Sequence, residues 1–166
     1  SRLTEGIFCP AHAFTPYKGI YGYWTDKIRP RLGADTDQIF ALELGLSADT
    51  FMADMLKETR GYTYVSNSDA HSSANIAREY NLLRMGEKNF TELKWALQNK
   101  EGRKVIANFG MDPLLGKYHR SYCNDCKLIT SEQPPVKVCP TCGNPNMVKG
   151  VMDRIVEIRD YEEPHH

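Results

Sequence analysis

Asp69 and His71 stand two residues apart in Ser66-Asn67-Ser68-Asp69-Ala70-His71-Ser72, just past the apolar part of residues 61–65. That preceding stretch, Gly-Tyr-Thr-Tyr-Val, is aromatic and β-branched and reads as a strand. At a period of two, the carboxylate and the imidazole share a face. There they can hold one divalent ion, the carboxylate supplying charge and the ring geometry. The plainer alternative makes Asp69 a turn residue opening a helix and His71 a surface polar group. His12 poses the same choice. It follows the short apolar run of residues 6–9, where an α/β barrel would put a ligand, but a hydrogen-bonded core or loop histidine fits as well.

The cysteines give a firmer signal. Four of the five fall into two Cys-x-x-Cys pairs, Cys123 with Cys126 and Cys139 with Cys142, with twelve residues between the pairs. Each pair places two thiolates on one tight turn, and a hairpin between the turns would bring four thiolates to a tetrahedral zinc site, the alternatives being a redox pair or a chance spacing. Gly143 suits a turn that needs positive φ. A closed four-cysteine site leaves no position for substrate, so this metal would hold structure and do no chemistry. Zinc binding of about 10–16 kcal/mol in small zinc peptides implies that the ribbon does not fold without its ion. With no secretion signal opening the chain, this pattern favours metal over disulfides, hence a reducing, cytoplasmic setting.

These groups need elements to position them. The 166 residues suit one domain with a small appendage, and a chain of this size buries roughly 68–70% of its unfolded surface. Apolar (41%) and charged (25%) fractions are ordinary for a globular protein, and the formal net charge of zero argues against a general polyanion binder, though not against a local basic groove. No window is long and apolar enough for a membrane span. Ser1 is not a natural start, so the chain reads as a piece cut from a longer protein.

Residues 39–44 read as a strand buried on both faces, interrupted by Glu43, a carboxylate that must meet a cation or a donor. Ser47 is the N-cap candidate for a helix over 48–60, with Met52, Met55 and Leu56 on its buried face. Residues 72–77 start a further helix that leads into 80–85. Asn89 caps a helix over 90–99 with Phe90, Leu93, Ala96 and Leu97 as its stripe. Residues 103–109 form another strand, 24–32 a short helix broken by Pro30, and 148–159 a final helix before an exposed tail. Strands alternating with helices point to a parallel α/β sheet or barrel segment. Four or five strands are too few to close an eight-stranded barrel, so the chain looks like the second half of one.

Two further stretches could meet a ligand. Residues 13–37 form a long loop rich in Gly, Pro and Tyr whose aromatics either stack on something planar, such as a base, or cap the core. Residues 116–120, Gly-Lys-Tyr-His-Arg, form a basic and aromatic cluster that suits a single-strand or flipped-base channel, or else a solvated linker face.

Pro10-Ala11-His12 and Asp69-Ala70-His71 resemble the third and fourth metal-binding motifs of the PHP (polymerase and histidinol phosphatase) family. Residues 10–18, 43–49, 66–71 and 112–119, the four cysteines and residues 150–155 resemble, in order, endonuclease Q and its bacterial relatives. The resemblance implies an α/β fold: the C-terminal part of a distorted (β/α)7 barrel over residues 1–116, then a zinc ribbon (117–150) and a C-terminal helix and tail (151–166). It implies DNA cleavage 5′ of deaminated bases or abasic sites, with damaged DNA as partner. His12, Asp69 and His71 would be catalytic and would ligate Zn2+, Mn2+ or Mg2+, while Ser47, Tyr17, Lys18 and Lys117 would meet the substrate. The family's first motifs, beginning with His-x-His, are absent: none of the five histidines forms such a pair. The segment therefore holds part of a metal site, and alone it should show little nuclease activity. An exposed half-barrel edge would invite a homo-oligomer where the N-terminal half is missing. Two other functions compete, a non-catalytic nucleic-acid-binding ribbon module and a PHP phosphatase acting on a small phosphoester.

Overall fold

The computed structural model describes residues 6–165. At its centre β1 (Ala41–Glu43) pairs in parallel with β2 (Thr63–Val65), in the register Ala41 to Thr63 and Glu43 to Val65. Phe8 adds a single parallel bridge to Ile39. Because side chains alternate along a strand, β1 feeds two cores. Leu42 and Leu44 point into the larger, with Phe14, Tyr21 and Ile28 from the loop, Met52 and Leu56, and Val151 and Ile155. Ala41 and Val65 point the other way, with Leu97. The expectation of a strand buried on both faces is met.

The first helices are shorter than the sequence periodicity indicates. Helix α1 is only Arg29–Leu32, and Pro30 lies in its first turn, where a missing N–H costs nothing, so Pro30 starts the helix instead of breaking it. Helix α2 is Thr50–Asp54, and its cap is Asp49, not Ser47: Asp49 Oδ1 accepts from the Met52 amide at 2.8 Å. The Thr59 hydroxyl then donates to the carbonyls of Ala53 (2.6 Å) and Leu56 (2.8 Å), and a 3-10 turn at Lys57–Gly61 replaces the rest of the expected helix.

Residues 80–85 differ in kind. They form β3 (Tyr80–Arg84), not helix, antiparallel to β4 (Lys104–Phe109) with an irregularity between Leu82 and Leu83. Only a 3-10 turn at Ser73–Asn75 remains of the helix expected from residue 72. Pairing with β4 satisfies the backbone of β3, and Tyr80 stacks on Phe109 at 4.9 Å, which outweighs a weak helical pattern. The strands are thus mixed in direction, not all parallel. Between them α3 (Phe90–Leu97) keeps its Asn89 cap, with Asn89 Oδ1 accepting from the Glu92 amide at 2.9 Å. Ala96 and Leu97 are buried, while Phe90, expected in the buried stripe, is 47% exposed and drops out of it.

Beyond residue 120 a small sheet orders β6 (Leu128–Ile129), β5 (Tyr122–Cys123) and β7 (Met147–Val148), all antiparallel. Val148 lies in β7, so the last helix, α4, starts later than expected, at Val151–Ile158. It is no appendage, since Val151, Ile155 and Ile158 complete the larger core. Asp153, fully buried on α4, accepts from the amides of Ser121 (3.0 Å) and Val136 (2.8 Å) and from Arg120 Nε (3.1 Å). The tail is also tied down, Asp160 accepting from Lys27 Nζ at 2.6 Å and the Lys57 amide at 2.7 Å. No helix among the described residues is long and apolar enough to cross a membrane.

Candidate metal centres

The four cysteines converge. Their sulfurs all lie within 4.8 Å of one another, with Cys123 and Cys142 at 3.8 Å and Cys126 and Cys139 at 3.9 Å. Thiolates about 2.3 Å from a tetrahedral zinc stand roughly 3.8 Å apart, so these two pairs already sit at the separation such an ion requires. The turns that aim them use left-handed backbone at Lys127 (φ 57°) and Gly143 (φ 73°). The Gly143 amide donates to the Cys139 carbonyl at 2.8 Å, and the Cys139 amide to the Asn144 carbonyl at 2.8 Å. Amide donors, first that of Cys142 and then that of Thr141, pull the Cys139 thiol down to about 6, which favours the thiolate form that a cation needs. Its hydrogen bond with Cys142, followed by burial, pushes Cys126 up to about 12.

His12, Asp69 and His71 lie on two segments, the turn after Pro10 and the loop after β2, that both bond to Glu43 at the end of β1. Asp69 and His71 are past the end of β2 in irregular backbone, so strand periodicity does not align them, contrary to expectation. A left-handed turn at Asp69 (φ 45°) does, and His71 Nδ1 sits 2.8 Å from the Asp69 carbonyl and 4.0 Å from its Oδ1. Both side chains face solvent, Asp69 56% and His71 85% exposed. Arg78 Nε donates to the Ser68 carbonyl at 2.9 Å, and the Asn81 amide bonds both ways with the Ser66 backbone, at 2.8 and 2.9 Å. These two anchors escape sequence reasoning. A polar residue inside an apolar strand, such as Asn81, is the one signal that points to them.

His12 is also left-handed (φ 35°), and its ring Nδ1 is buried without a hydrogen-bond partner. An orphaned imidazole nitrogen beside a carboxylate-bearing loop fits a metal ligand. Among the described residues, however, only the cysteines form a group of three or more His, Cys, Asp or Glu donors close enough to hold an ion. His12, Asp69 and His71 stand as an open set.

Glu43 lies between these loops, buried, and its carboxylate accepts from the amides of His12, of Gly45 at 2.7 Å and of Asn67 at 3.4 Å. Its partners are amide donors, not a cation. Burial, and then the Glu43 charge, push the Cys9 thiol up to about 11, which leaves it protonated and unreactive. Glu79, buried nearby, is raised chiefly by burial, with Glu43 adding to the effect and the Met111 amide (3.2 Å) opposing it.

The expected substrate residues divide. Tyr17 and Lys117 line one groove of about 470 Å³ against the ribbon, with Tyr118, Tyr122 and Lys149. Lys117 lies over the Tyr118 ring at 5.3 Å. Lys18 is exposed but outside that groove. Ser47 is 5% exposed and lies beneath Gly116, with its carbonyl 3.2 Å from His119 Nδ1. Within the basic cluster, His119 is buried and Arg120 is occupied by Asp153 and the Glu132 carbonyl, so both are structural. Of the aromatic loop, Phe14 and Tyr21 stack in the core, while Tyr17 and Tyr23 stay exposed.

The fold and site define a mixed α/β segment with four convergent cysteines positioned to bind a metal ion and, apart from them, the separate His12 turn and Asp69–His71 loop. No family model matches the chain. It is 41% identical to the lesion-specific endonuclease PfuEndoQ of Pyrococcus furiosus and superposes with a TM-score of 0.78 over 95% of this chain and 40% of that one. Against an endonuclease Q bound to a 27-mer duplex with an abasic lesion, the values are 40% identity and 0.79 over the same shares. The uncharacterized protein YqxK of Bacillus subtilis is 43% identical over 161 residues, 95% of this chain and 40% of its own length. An uncharacterized protein of Methanocaldococcus jannaschii is 39% identical over 165 residues, 93% of this chain and 20% of its own length. The chain thus spans 40% or less of these relatives, and it is related by sequence and structure to a lesion-specific DNA endonuclease.

Proposed function

We propose that the chain is the C-terminal part of a PHP-type barrel with its zinc ribbon, taken from a metal-dependent endonuclease that cuts DNA 5′ of deaminated bases or abasic sites. The observation that carries this reading is the 40–41% identity to endonuclease Q structures over 95% of the chain. Residues 1–116 and 117–150 are then barrel and ribbon, and residues 151–166 a helix that closes the barrel's core and a tail. His12, Asp69 and His71 hold part of the catalytic metal site, for Zn2+, Mn2+ or Mg2+. Ions bound there would supply a hydroxide near neutral pH and offset charge on the phosphate. Tyr17, Lys18 and Lys117 contact the DNA backbone or an unstacked base, and Ser47 shapes the floor beneath Gly116. Extrusion is easiest for a damaged base, which aids selectivity. The reducing cytoplasm suits four free thiols around a structural zinc.

The exposed apolar side chains of the β3–β4 pair, Tyr80, Leu82 and Phe109 (43–51% exposed), mark where the barrel's other half packs, and alone they favour self-association. The first test is cleavage of an abasic duplex by this chain, by the longer protein that contains it, and by that protein with Asp69→Asn. The expected outcome is little cleavage by the chain, cleavage by the longer protein, and loss of at least about 100-fold in Asp69→Asn with DNA binding kept. Unchanged cleavage in Asp69→Asn would instead support a non-catalytic nucleic-acid-binding module, the reading favoured by the tyrosine- and lysine-lined groove.

A further inference from the structure

His12 sits on one loop and Asp69 and His71 on another, and one side chain bonds to both of these and to the loop after β1. Glu43 ends β1 at 7% exposure. One carboxylate oxygen accepts from the His12 amide, the other from the amides of Gly45 (2.7 Å) and Asn67 (3.4 Å). Its main chain repeats the connection, the Glu43 amide donating to the Pro10 carbonyl at 3.0 Å and its carbonyl accepting from the Ala13 amide at 2.8 Å. His12 sits at φ 35°, a conformation that a residue with a side chain holds only when its surroundings enforce it. Three of the bonds that enforce it, at Pro10, His12 and Ala13, come from Glu43. Behind the turn, Gly45 packs closely, since a Cβ there would lie 3.0 Å from His12 Cβ. Asn67 opens the loop that turns at Asp69 and presents His71.

We infer that Glu43 is a positioning residue: its carboxylate fixes the His12 turn and the Asp69–His71 loop relative to each other, so that both can meet one divalent-ion centre. The inference rests on the proposed metal role of those three residues. Neither a cation nor a hydroxyl could replace it. A group with two acceptor oxygens and no donor is required to receive peptide N–H groups from three directions, and among neutral or shorter side chains none meets that need. Glutamine would turn an N–H2 toward at least one of these amides. Aspartate keeps the charge but falls one methylene short.

The test uses the zinc-loaded chain and two variants, Glu43→Gln and Glu43→Asp. NMR would follow amide hydrogen exchange at His12, Gly45 and Asn67, and broadening of the His12 and His71 ring signals by added Mn2+. Both variants should keep the ribbon zinc and speed exchange at these three amides at least about tenfold. Both should also need at least about tenfold more Mn2+ to broaden the two rings together. If Glu43→Asp matches the parent chain, charge alone is at work and positioning is overturned. Exchange at the three amides left unchanged in Glu43→Gln overturns it as well, as does broadening lost at one ring only. If Mn2+ broadens neither ring in the parent chain, the metal assignment fails, and with it the shared centre that Glu43 is said to assemble. Loop tethering by Glu43 is then still decided by the exchange data. Should Glu43→Gln not fold, the same readouts on Glu43→Asp decide the matter.

Discussion

At Gly45 and Gly143 the backbone is nearly the same, φ 74° and 73°, and the surroundings are opposite. A Cβ at Gly45 would meet His12 Cβ at 3.0 Å, whereas one at Gly143 would meet nothing within 4 Å. An L-residue in this conformation costs roughly 1–2 kcal/mol. Gly143→Ala should therefore lose about that much in urea unfolding and keep its zinc. Gly45→Ala should lose more and shift the His12 ring resonances as well, because the turn must move. The pair separates a conformational cost from a packing one, and Gly143 alone was legible in the sequence, from its place after a Cys-x-x-Cys. The role of Gly45 depends on His12, 33 positions earlier, packing against it in space.

Two elements depend on buried or bridged carboxylates. Asp153 joins α4 to the ribbon through Arg120, Ser121 and Val136, with no exposure of its own. Removing one partner of a buried pair costs about 3–5 kcal/mol, so Asp153→Ala should lower stability by that order in denaturant melts and loosen residues 120–136 in hydrogen exchange. Glu92 on α3 meets Arg103, just before β4, through two bonds of 2.8 Å. Those bonds, and next the Gly86 amide, hold its carboxyl below the usual carboxylate range. A lowered folded-state value means the contribution is present above the ordinary carboxylate range and is lost as pH falls through the folded value. Glu92→Gln should thus lower the melting temperature at pH 7 and flatten its decline in acid, as calorimetry across pH would show. Of these elements the sequence shows α3 plainly, through its Asn89 cap and apolar spacing. It does not show β3, because residues 80–84 become strand only when β4, 20 or more positions later, supplies the partner.

For the molecule as a whole, the metal-free state is the sharpest test. Chelation should release one zinc per chain and unfold residues 122–148, read as lost dispersion of the Cys123, Leu128 and Val148 amide signals. The larger core should loosen less, since Phe14, Leu42, Leu56 and Ile155 pack without the ribbon. Complete and simultaneous melting of both would show that α4 couples them more tightly than the Asp153 bonds alone imply.

The sequence by itself determined what depends on local spacing: two Cys-x-x-Cys turns, the Asn89 cap, an apolar β1, and an Asp-x-His placed just after a strand. Such features follow from groups a few residues apart, whose geometry the backbone fixes. The tertiary structure alone decided which distant groups share a space. It made α4 part of the main core, took His119 and Arg120 out of the basic surface, and ran β3 antiparallel. It also set Glu43 against the His12 and Asn67 amides, 31 and 24 positions away. A buried acceptor takes whatever donors the folded loops bring to it, and no local pattern in the chain encodes which those are.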